Sequence, residues 1–272
     1  MDRLLCVLLL FLPGGLLGAE TVRLPVTRDT WFSEVGREAD CNLGGAGQLK
    51  LKSIQEMSLV DFDPAPLRGR VVQRATLHVR VRGKEILRRV TGSSFSAEWV
   101  EGTAPSYEPQ EGSSTFNHRR HPDVPWAYPG SDLTSVILGQ GGSIWRMADA
   151  SQPDAEGWQQ VPIDPRVVGA RVAGTSYGLF LFDDTGTEWT RNGEEFQLRL
   201  FPNRFVHSRD SGRANAPYLT VELGPADSQP PAAPGDFTAE IEQLPAGEAR
   251  LSSGNTCDTA CPAALERNRH RG

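Results

Sequence analysis

The clearest strand pattern in the chain is Arg74-Ala75-Thr76-Leu77-His78-Val79-Arg80-Val81. Every second residue from Ala75 to Val81 is apolar, and the residues between them are polar. Because successive side chains of a strand point to opposite faces, this alternation predicts a strand with one buried face and one solvated face.

Apolar runs of strand length occur on both sides of this segment. They are residues 21–26, 48–51, 57–63, 177–182, 197–201 and 218–223. In the run at 57–63, alternation places Leu59 and Asp61 on the face opposite to Val60. Glycine and proline are frequent, and apolar residues at helical spacing are nearly absent. About ten strands at this spacing predict an all-β fold, a jelly-roll-like antiparallel β-sandwich over residues 20–224.

The N-terminus has the features of a secretory signal peptide. Arg3 lies in a charged tip, an apolar run extends from Leu4 to Leu12, and Ala19 is a small residue at the cleavage position. The run is shorter than the about 20 apolar residues that a membrane-spanning helix needs. We therefore expect residues 1–19 to be removed on export, and the protein to be secreted or held at the cell surface. No other segment of the sequence is long and apolar enough to cross a membrane.

Charge and cysteine content argue against two classes of protein, nucleic-acid-binding proteins and disulfide-rich scaffolds. The formal net charge of −6 disfavours nucleic acid as the main partner, because phosphate binding needs a concentrated basic face. The cysteines outside the signal segment, Cys41, Cys257 and Cys261, are too few for a disulfide scaffold. The last two are close enough in sequence to pair or to chelate a metal, or they simply lie in a disordered tail.

Residues 21–223 contain a series of short motifs in a characteristic order. They are Asp29-Thr30, Leu59-Val60-Asp61-Phe62-Asp63, Ala75-Thr76-Leu77-His78-Val79, Trp99-Val100-Glu101-Gly102-Thr103, Gly178-Leu179, Ser208-Arg209-Asp210 and Pro217-Tyr218-Leu219-Thr220-Val221. In order and spacing these motifs resemble the DNRLRE family of secreted β-sandwich domains, which is related to a family of carbohydrate-binding modules. The resemblance implies a sandwich fold and a polysaccharide ligand. The insertion after the Trp99 motif is longer than is usual in that family.

The composition changes after residue 224. Residues 225–234 are rich in proline and predict a semi-rigid, extended linker. Residues 237–241 and 248–251 flank a Pro-Ala-Gly turn and predict a hairpin. Residues 235–272 resemble the start of a fibronectin type III domain that has been cut short, so we expect further modules in a parent protein. The last residues are mostly charged and predict a disordered tail.

The irregular stretch from Gly102 to Gly130 contains the candidate ligand-binding residues, which are His118, Arg119, Arg120, His121, Trp126 and Tyr128. Long loops inside compact domains are often functional. Arginine forks match the carboxylates of acidic sugars, and exposed aromatic rings offer sugars a flat apolar face. The alternatives are a solvated loop for the basic cluster and a ring that covers the sandwich edge for Trp126. The sequence marks no third ligand beside the two histidines, so we expect no metal site and no cofactor.

Other aromatic and acidic residues have structural interpretations. Trp99 adjoins a strand and is interpreted as a core residue. Asp61, Asp63 and the pair Asp183-Asp184 are interpreted as structural carboxylates, since no loop has the spacing of a calcium-binding EF-hand. The sequence also lacks a nucleophile elbow, a zinc-protease helix, a phosphate loop and a dinucleotide fingerprint, so we do not expect an enzyme.

The leading functional hypothesis is a non-catalytic binding module of an exported or cell-surface protein that recognises polysaccharide. Two alternatives stay open. A structural spacer or adhesion domain with no small ligand would suit the linker and the partial second module, because spacers occur in strings. A polysaccharide-degrading enzyme would need Asp61 or Asp63 as a catalytic carboxylate.

Overall fold

The computed structural model describes residues 20–137, 144–183, 185, 187–193, 195–200, 203–226, 238–243 and 249–254. The chain divides into two compact units, the first ending at Ala226 and the second beginning at Asp227. The described strands of the first unit are β1 (Glu20–Ser33), β2 (Gln48–Leu51), β3 (Glu56–Phe62), β4 (Arg70–Arg80), β5 (Arg89–Ser94), β6 (Trp145–Asp149), β7 (Trp158–Ile163), β8 (Leu179–Asp183), β9 (Thr187–Asn192), β10 (Glu195–Leu200), β11 (Arg204–His207) and β12 (Tyr218–Ala226). Its described helical segments include α1 (Thr134–Ile137), α2 (Pro165–Val172) and short 3-10 helices at Gly36–Asp40, Ala65–Leu67 and Arg209–Ser211.

Eight strands of the first unit form one antiparallel sheet in the order β6-β5-β8-β3-β1-β12-β4-β7. The long strand β1 pairs with β12 through residues 20–25 and with β3 through residues 26–33, with an irregularity between Val26 and Arg28. The edge strands β6 and β7 also approach each other, so the sheet is nearly closed into a barrel-like sandwich. The prediction of an all-β fold is confirmed.

Strand β4 has the alternating burial that its sequence predicts. Ala75, Leu77 and Val79 are buried, and the residues between them are partly exposed. The neighbouring strand β12 places Leu219 opposite Leu77 and Val221 opposite Ala75, so the apolar faces of the two strands match. Each of the other predicted apolar runs overlaps a strand of the structure. These strands are β1, β2, β3, β8, β10 and β12.

Strand β3 is buried on both faces, unlike β4. Val60 packs in one apolar cluster, which extends over β4 and β12, whereas Leu59 packs in a second cluster with Phe95 and Trp126. A strand between two cores has no solvated face, and this explains why Asp61 is buried as well. The second core cluster holds in place the long segment that follows β5.

Helix α2 was not predicted, because apolar residues at helical spacing are nearly absent from the sequence. It buries only two large apolar residues, Val167 and Val168, so it produces no repeating apolar stripe in the sequence. Its start has a local signal, because the Asp164 side chain accepts a hydrogen bond from the Arg166 N–H and Pro165 occupies the first turn. An acidic cap followed by proline is typical of helix N-termini.

The described part of the second unit is an antiparallel hairpin of β13 (Thr238–Gln243) and β14 (Ala249–Gly254). Its register places Ile241 opposite Leu251. The hairpin predicted from the two runs beside the Pro-Ala-Gly turn is therefore confirmed.

The predicted signal peptide, residues 1–19, lies outside the described part of the chain. So do most of the predicted linker at 225–234 and the tail after residue 254. These stay predictions, as does the fibronectin type III resemblance of residues 235–272. Among the described residues, no helix is long and apolar enough to span a membrane.

Candidate functional site

The segment between β5 and α1, residues 95–133, has no helix and no strand longer than an isolated bridge, although each of its residues is described. Its order comes from large side chains that point inward. Phe95, Trp99, Phe116 and Leu133 are buried in the second core cluster. These anchors fix the backbone at intervals, so the polar residues between them are held in defined positions. We call residues 95–133 the anchored loop.

Trp126 is also one of these inward anchors, which corrects the prediction that it offers its ring to a sugar. Its side chain is only 4% exposed, and its ring packs edge-on against Phe32 and Phe95 at centroid distances of 5.9 and 5.5 Å. The indole N–H donates to the carbonyl oxygens of Thr115 and Phe116 at 3.0 and 2.9 Å. The alternative interpretation, a ring that closes the edge of the sandwich, is the one that fits.

Trp99 and Tyr128 show the two extremes of burial in the anchored loop. Trp99 is buried, as predicted, and its indole N–H donates to the Tyr177 carbonyl oxygen at 2.9 Å. The Arg28 guanidinium covers its ring at 4.2 Å. Tyr128 is 61% exposed, so its ring is accessible to a ligand as the sequence predicts.

The predicted basic cluster divides between two cavities. His118 lines a cavity of about 600 Å³ whose wall includes Asp40, Asn117, Asp123 and Asp132. Arg120 is exposed and lines a second cavity of about 250 Å³, with Arg28, Glu98, Trp99, Val100 and Tyr177. Arg119 is half-buried, and its carbonyl oxygen accepts a hydrogen bond from the Ser114 hydroxyl at 2.7 Å.

The two histidines of the cluster lie together, and the fold adds a carboxylate that the sequence did not mark. Their rings are 5.4 Å apart between centroids. Asp40, at the end of the Gly36–Asp40 helix, places Oδ1 3.4 Å from the Nδ1 atom of His118. No sequence pattern marks Asp40 as a partner of the histidines, because the β1–β2 connection and the anchored loop meet only in the folded chain.

A second polar cluster forms where three of the quoted motifs meet. Asp29 accepts a hydrogen bond from the Arg209 backbone N–H at 2.7 Å, and its own N–H donates to Glu101 Oε1 at 2.6 Å. The Arg209 guanidinium donates to the same Glu101 oxygen at 2.9 Å and lies 3.7 Å from Asp210. Motifs from the start, middle and end of the sandwich domain therefore form one interaction network, which the sequence analysis did not predict.

Burial sets the proton affinity in this network. Asp29 is 1% exposed, and desolvation raises the pKa of its carboxyl from 3.8 to about 7, against the hydrogen bond from Arg209. The neighbouring charges of Glu101 and Asp210 raise it further. Burial also raises the pKa of Glu101, although Asp29 and Arg209 donate to it.

We predict that Asp29 makes the protein less stable as the pH rises. Because the pKa of Asp29 is higher in the folded protein than in the unfolded chain, the folded state binds more protons between these two pKa values, and the free energy of unfolding falls as the pH rises through about 4 to 7. Asp29→Asn keeps an oxygen for the Arg209 N–H and removes the titration.

Urea unfolding of the two proteins across this pH range is the measurement. Towards pH 7, the free energy of unfolding of the variant should rise by about 2 kcal/mol or more relative to that of the wild type. This follows because one unit of pKa shift corresponds to about 1.4 kcal/mol. A difference between the two proteins that does not change with pH would contradict the assignment.

Asp61 and Asp183 make buried contacts that fit their interpretation as structural carboxylates. Asp61 receives Arg28 Nε at 3.0 Å and Arg171 Nε at 2.7 Å, and its Oδ1 also accepts from the Phe62 N–H at 2.9 Å. Asp183 is buried and accepts from the Arg88 N–H at 2.8 Å. Asp63 is exposed and accepts from the Ala65 N–H at 3.0 Å. Asp184 lies outside the described residues.

No family model and no curated protein matches this chain. The DNRLRE resemblance therefore stays a proposal, carried by the motifs themselves. The geometry adds a physical link between three of the motifs: Asp29, Glu101 and Arg209 are joined in one hydrogen-bonded network. None of these three residues lines either of the cavities described above.

Proposed function

We propose that residues 20–226 form a non-catalytic binding module of an exported protein, and that its ligand is a polysaccharide that carries acidic groups. The observation that supports this most is the anchored loop. It is pinned from inside by buried rings, and it presents polar side chains to two open cavities on its outer side. Binding residues on a loop held by a rigid scaffold are the usual arrangement of recognition sites.

The chemistry of the smaller cavity supports an acidic ligand. It contains two guanidinium groups, those of Arg28 and Arg120. Arg28 is engaged by Asp61 and by the Trp99 carbonyl oxygen, whereas Arg120 is exposed. A guanidinium group can bind a carboxylate or sulfate through two parallel hydrogen bonds, which gives both affinity and direction.

Two further features support a carbohydrate outside the cell. Tyr128 exposes an aromatic ring on the same loop, and such rings stack on the apolar faces of sugars. The signal-peptide features of residues 1–19 support export, and the motif resemblance supports a relation to carbohydrate-binding modules.

Affinity gel electrophoresis of the full chain in acidic and neutral polysaccharides tests the proposal. An acidic polysaccharide should retard the wild type, and Arg120→Gln should weaken the binding about tenfold or more, because a charged hydrogen bond contributes about 1.5–3 kcal/mol. Arg213→Gln is the matched control: it makes the same change of charge at an exposed residue that lines neither cavity.

Three outcomes would redirect the assignment. No retardation in any polysaccharide would favour the spacer alternative, and equal weakening in the Arg213→Gln control would mean that only net charge matters. Release of new reducing ends during incubation would favour the degrading-enzyme alternative.

A further inference from the structure

Three metal-ligating side chains converge at the wall of the larger cavity. They are Asp40, His118 and His121, and one ligand atom from each lies within 4.8 Å of the other two. Asp40 and His118 also line the cavity itself. Two of the three come from the anchored loop and the third from the 3-10 helix after β1, so the cluster joins two separate parts of the sandwich edge.

Each of the two histidines has a buried nitrogen atom without a hydrogen bond among the described residues, and coordination to a metal ion would give that atom a partner. The Nδ1 atoms of His118 and His121 are both inaccessible to solvent, and neither makes a hydrogen bond within the described part of the chain. A buried polar atom without a partner loses about 1–3 kcal/mol of solvation. Two histidines with such atoms, grouped with one carboxylate, point to a ligand that accepts nitrogen lone pairs.

The distance between two of these ligand atoms suits a tetrahedral zinc ion. His118 Nδ1 and Asp40 Oδ1 are 3.4 Å apart, and two ligands that are each about 2.0–2.1 Å from a tetrahedral zinc ion lie about 3.3 Å apart. Calcium and magnesium select sets of oxygen ligands, so the two imidazoles argue against them.

The surroundings also favour a cation. The Asn117 side chain donates to Asp40 Oδ1 at 2.9 Å, which orients the carboxylate as outer partners of metal ligands do. The carboxylates of Asp123 and Asp132 line the same cavity and add negative charge.

The other acidic cluster lacks this need for a cation. Asp29, Glu101 and Asp210 also lie close enough together to hold an ion. A cation of the protein already lies among these carboxylates, because the Arg209 guanidinium donates to Glu101 at 2.9 Å and lies near Asp210. The His118 cluster has no cation of this kind within the described ion pairs.

We propose that Asp40, His118 and His121 form a zinc site with an open coordination position at the larger cavity. Three protein ligands leave one position of a tetrahedral ion for an outside group, such as a water molecule or an oxygen of a ligand. The ion would also tie the anchored loop to the helix that ends at Asp40. This site is separate from Arg120 and its cavity, so it does not depend on the proposed polysaccharide contact.

Isothermal titration of the metal-stripped full chain with Zn²⁺ is the primary test, carried out in a Cys257→Ser, Cys261→Ser background that removes the tail thiols. We expect one zinc ion per chain and no comparable binding of Ca²⁺ or Mg²⁺. His118→Gln, His121→Gln and Asp40→Asn should each weaken binding by more than the about 10- to 100-fold that loss of an outer partner causes. Co²⁺ should give the absorption bands of a four-coordinate ion in the parent and lose them in these variants.

His207→Gln is the matched control, because the Nδ1 atom of His207 is also buried without a hydrogen bond, but this histidine belongs to none of the described clusters that could hold a metal. It should leave zinc affinity unchanged. Absence of zinc binding in the parent, zinc binding that survives the paired His118→Gln, His121→Gln change, or equal loss in the His207 control would each overturn the proposal. Circular dichroism of the Asp40→Asn variant, a change at a partly exposed residue, separates loss of the site from loss of the fold.

Discussion

Replacing Asp61 with asparagine is expected to lower the free energy of unfolding by about 3 kcal/mol, because removal of this buried carboxylate leaves two partly exposed guanidinium groups without their counter-ion. Asp61 is 3% exposed and receives two guanidinium groups, those of Arg28 and Arg171. Without the carboxylate, both cations would lie beside the β3 backbone with no counter-ion there. Urea unfolding at neutral pH measures the change.

Asp63→Asn provides the matched control for this prediction. It makes the same chemical change two residues away, at an exposed side chain whose only described hydrogen bond is from the Ala65 N–H. Asparagine retains an oxygen for that bond, so the effect should stay within about 0.5 kcal/mol. If the two variants were destabilised equally, Asp61 would not be the centre of a structural ion network.

Trp126→Ala is expected to lower the free energy of unfolding by about 3–5 kcal/mol, the usual range for truncating a buried large aromatic ring. The change would leave a cavity between Phe32 and Phe95 and would remove the indole donor from the Thr115 carbonyl oxygen. The Phe116 carbonyl oxygen would keep, among the described contacts, only its hydrogen bond from the Leu133 N–H. Thermal and urea unfolding of the variant measure the loss.

Two further variants separate the core role of Trp126 from a ligand contact. Trp126→Phe keeps most of the ring and removes only the N–H donor, so it should cost less than the alanine change. Tyr128→Ala, at an exposed residue two positions later, should cost at most about 0.5 kcal/mol. A small stability effect of Trp126→Ala, combined with loss of polysaccharide binding, would refute the burial and restore the predicted sugar contact.

The fold was predictable because its signals are local. Alternation over 74–81 set the buried face of β4, and apolar runs marked most of the other strands. The local pattern did not reveal that β3 lies between two cores. The segments that cover the two faces of a strand come from elsewhere in the chain, so the sequence of the strand does not identify them. Helix α2 was missed for another reason: its signals lie in the Asp164-Pro165 start and not in periodicity.

The candidate site was predictable only in part. The loop and the two histidines could be selected from residue chemistry, whereas Asp40 lies far from them in the sequence and comes close only through folding. The burial of Trp126 was equally hidden, since an aromatic residue in an irregular segment can point towards the core or away from it. Which side it takes depends on Phe32 and Phe95, which lie in distant parts of the chain.

The position of β1 has a mechanical consequence. Glu20, where the described sandwich begins, is paired with Leu223 near its other end, and the two strands run in opposite directions. Tension applied between residues 20 and 226 would therefore open the β1–β12 ladder like a zipper, one residue pair at a time, instead of shearing all its hydrogen bonds together. The zipper would run as far as Pro25 and stop at the irregularity after Val26, where β1 changes its partner to β3. Under a pulling force, we expect the β1–β12 strand pair to separate before the rest of the sandwich unfolds.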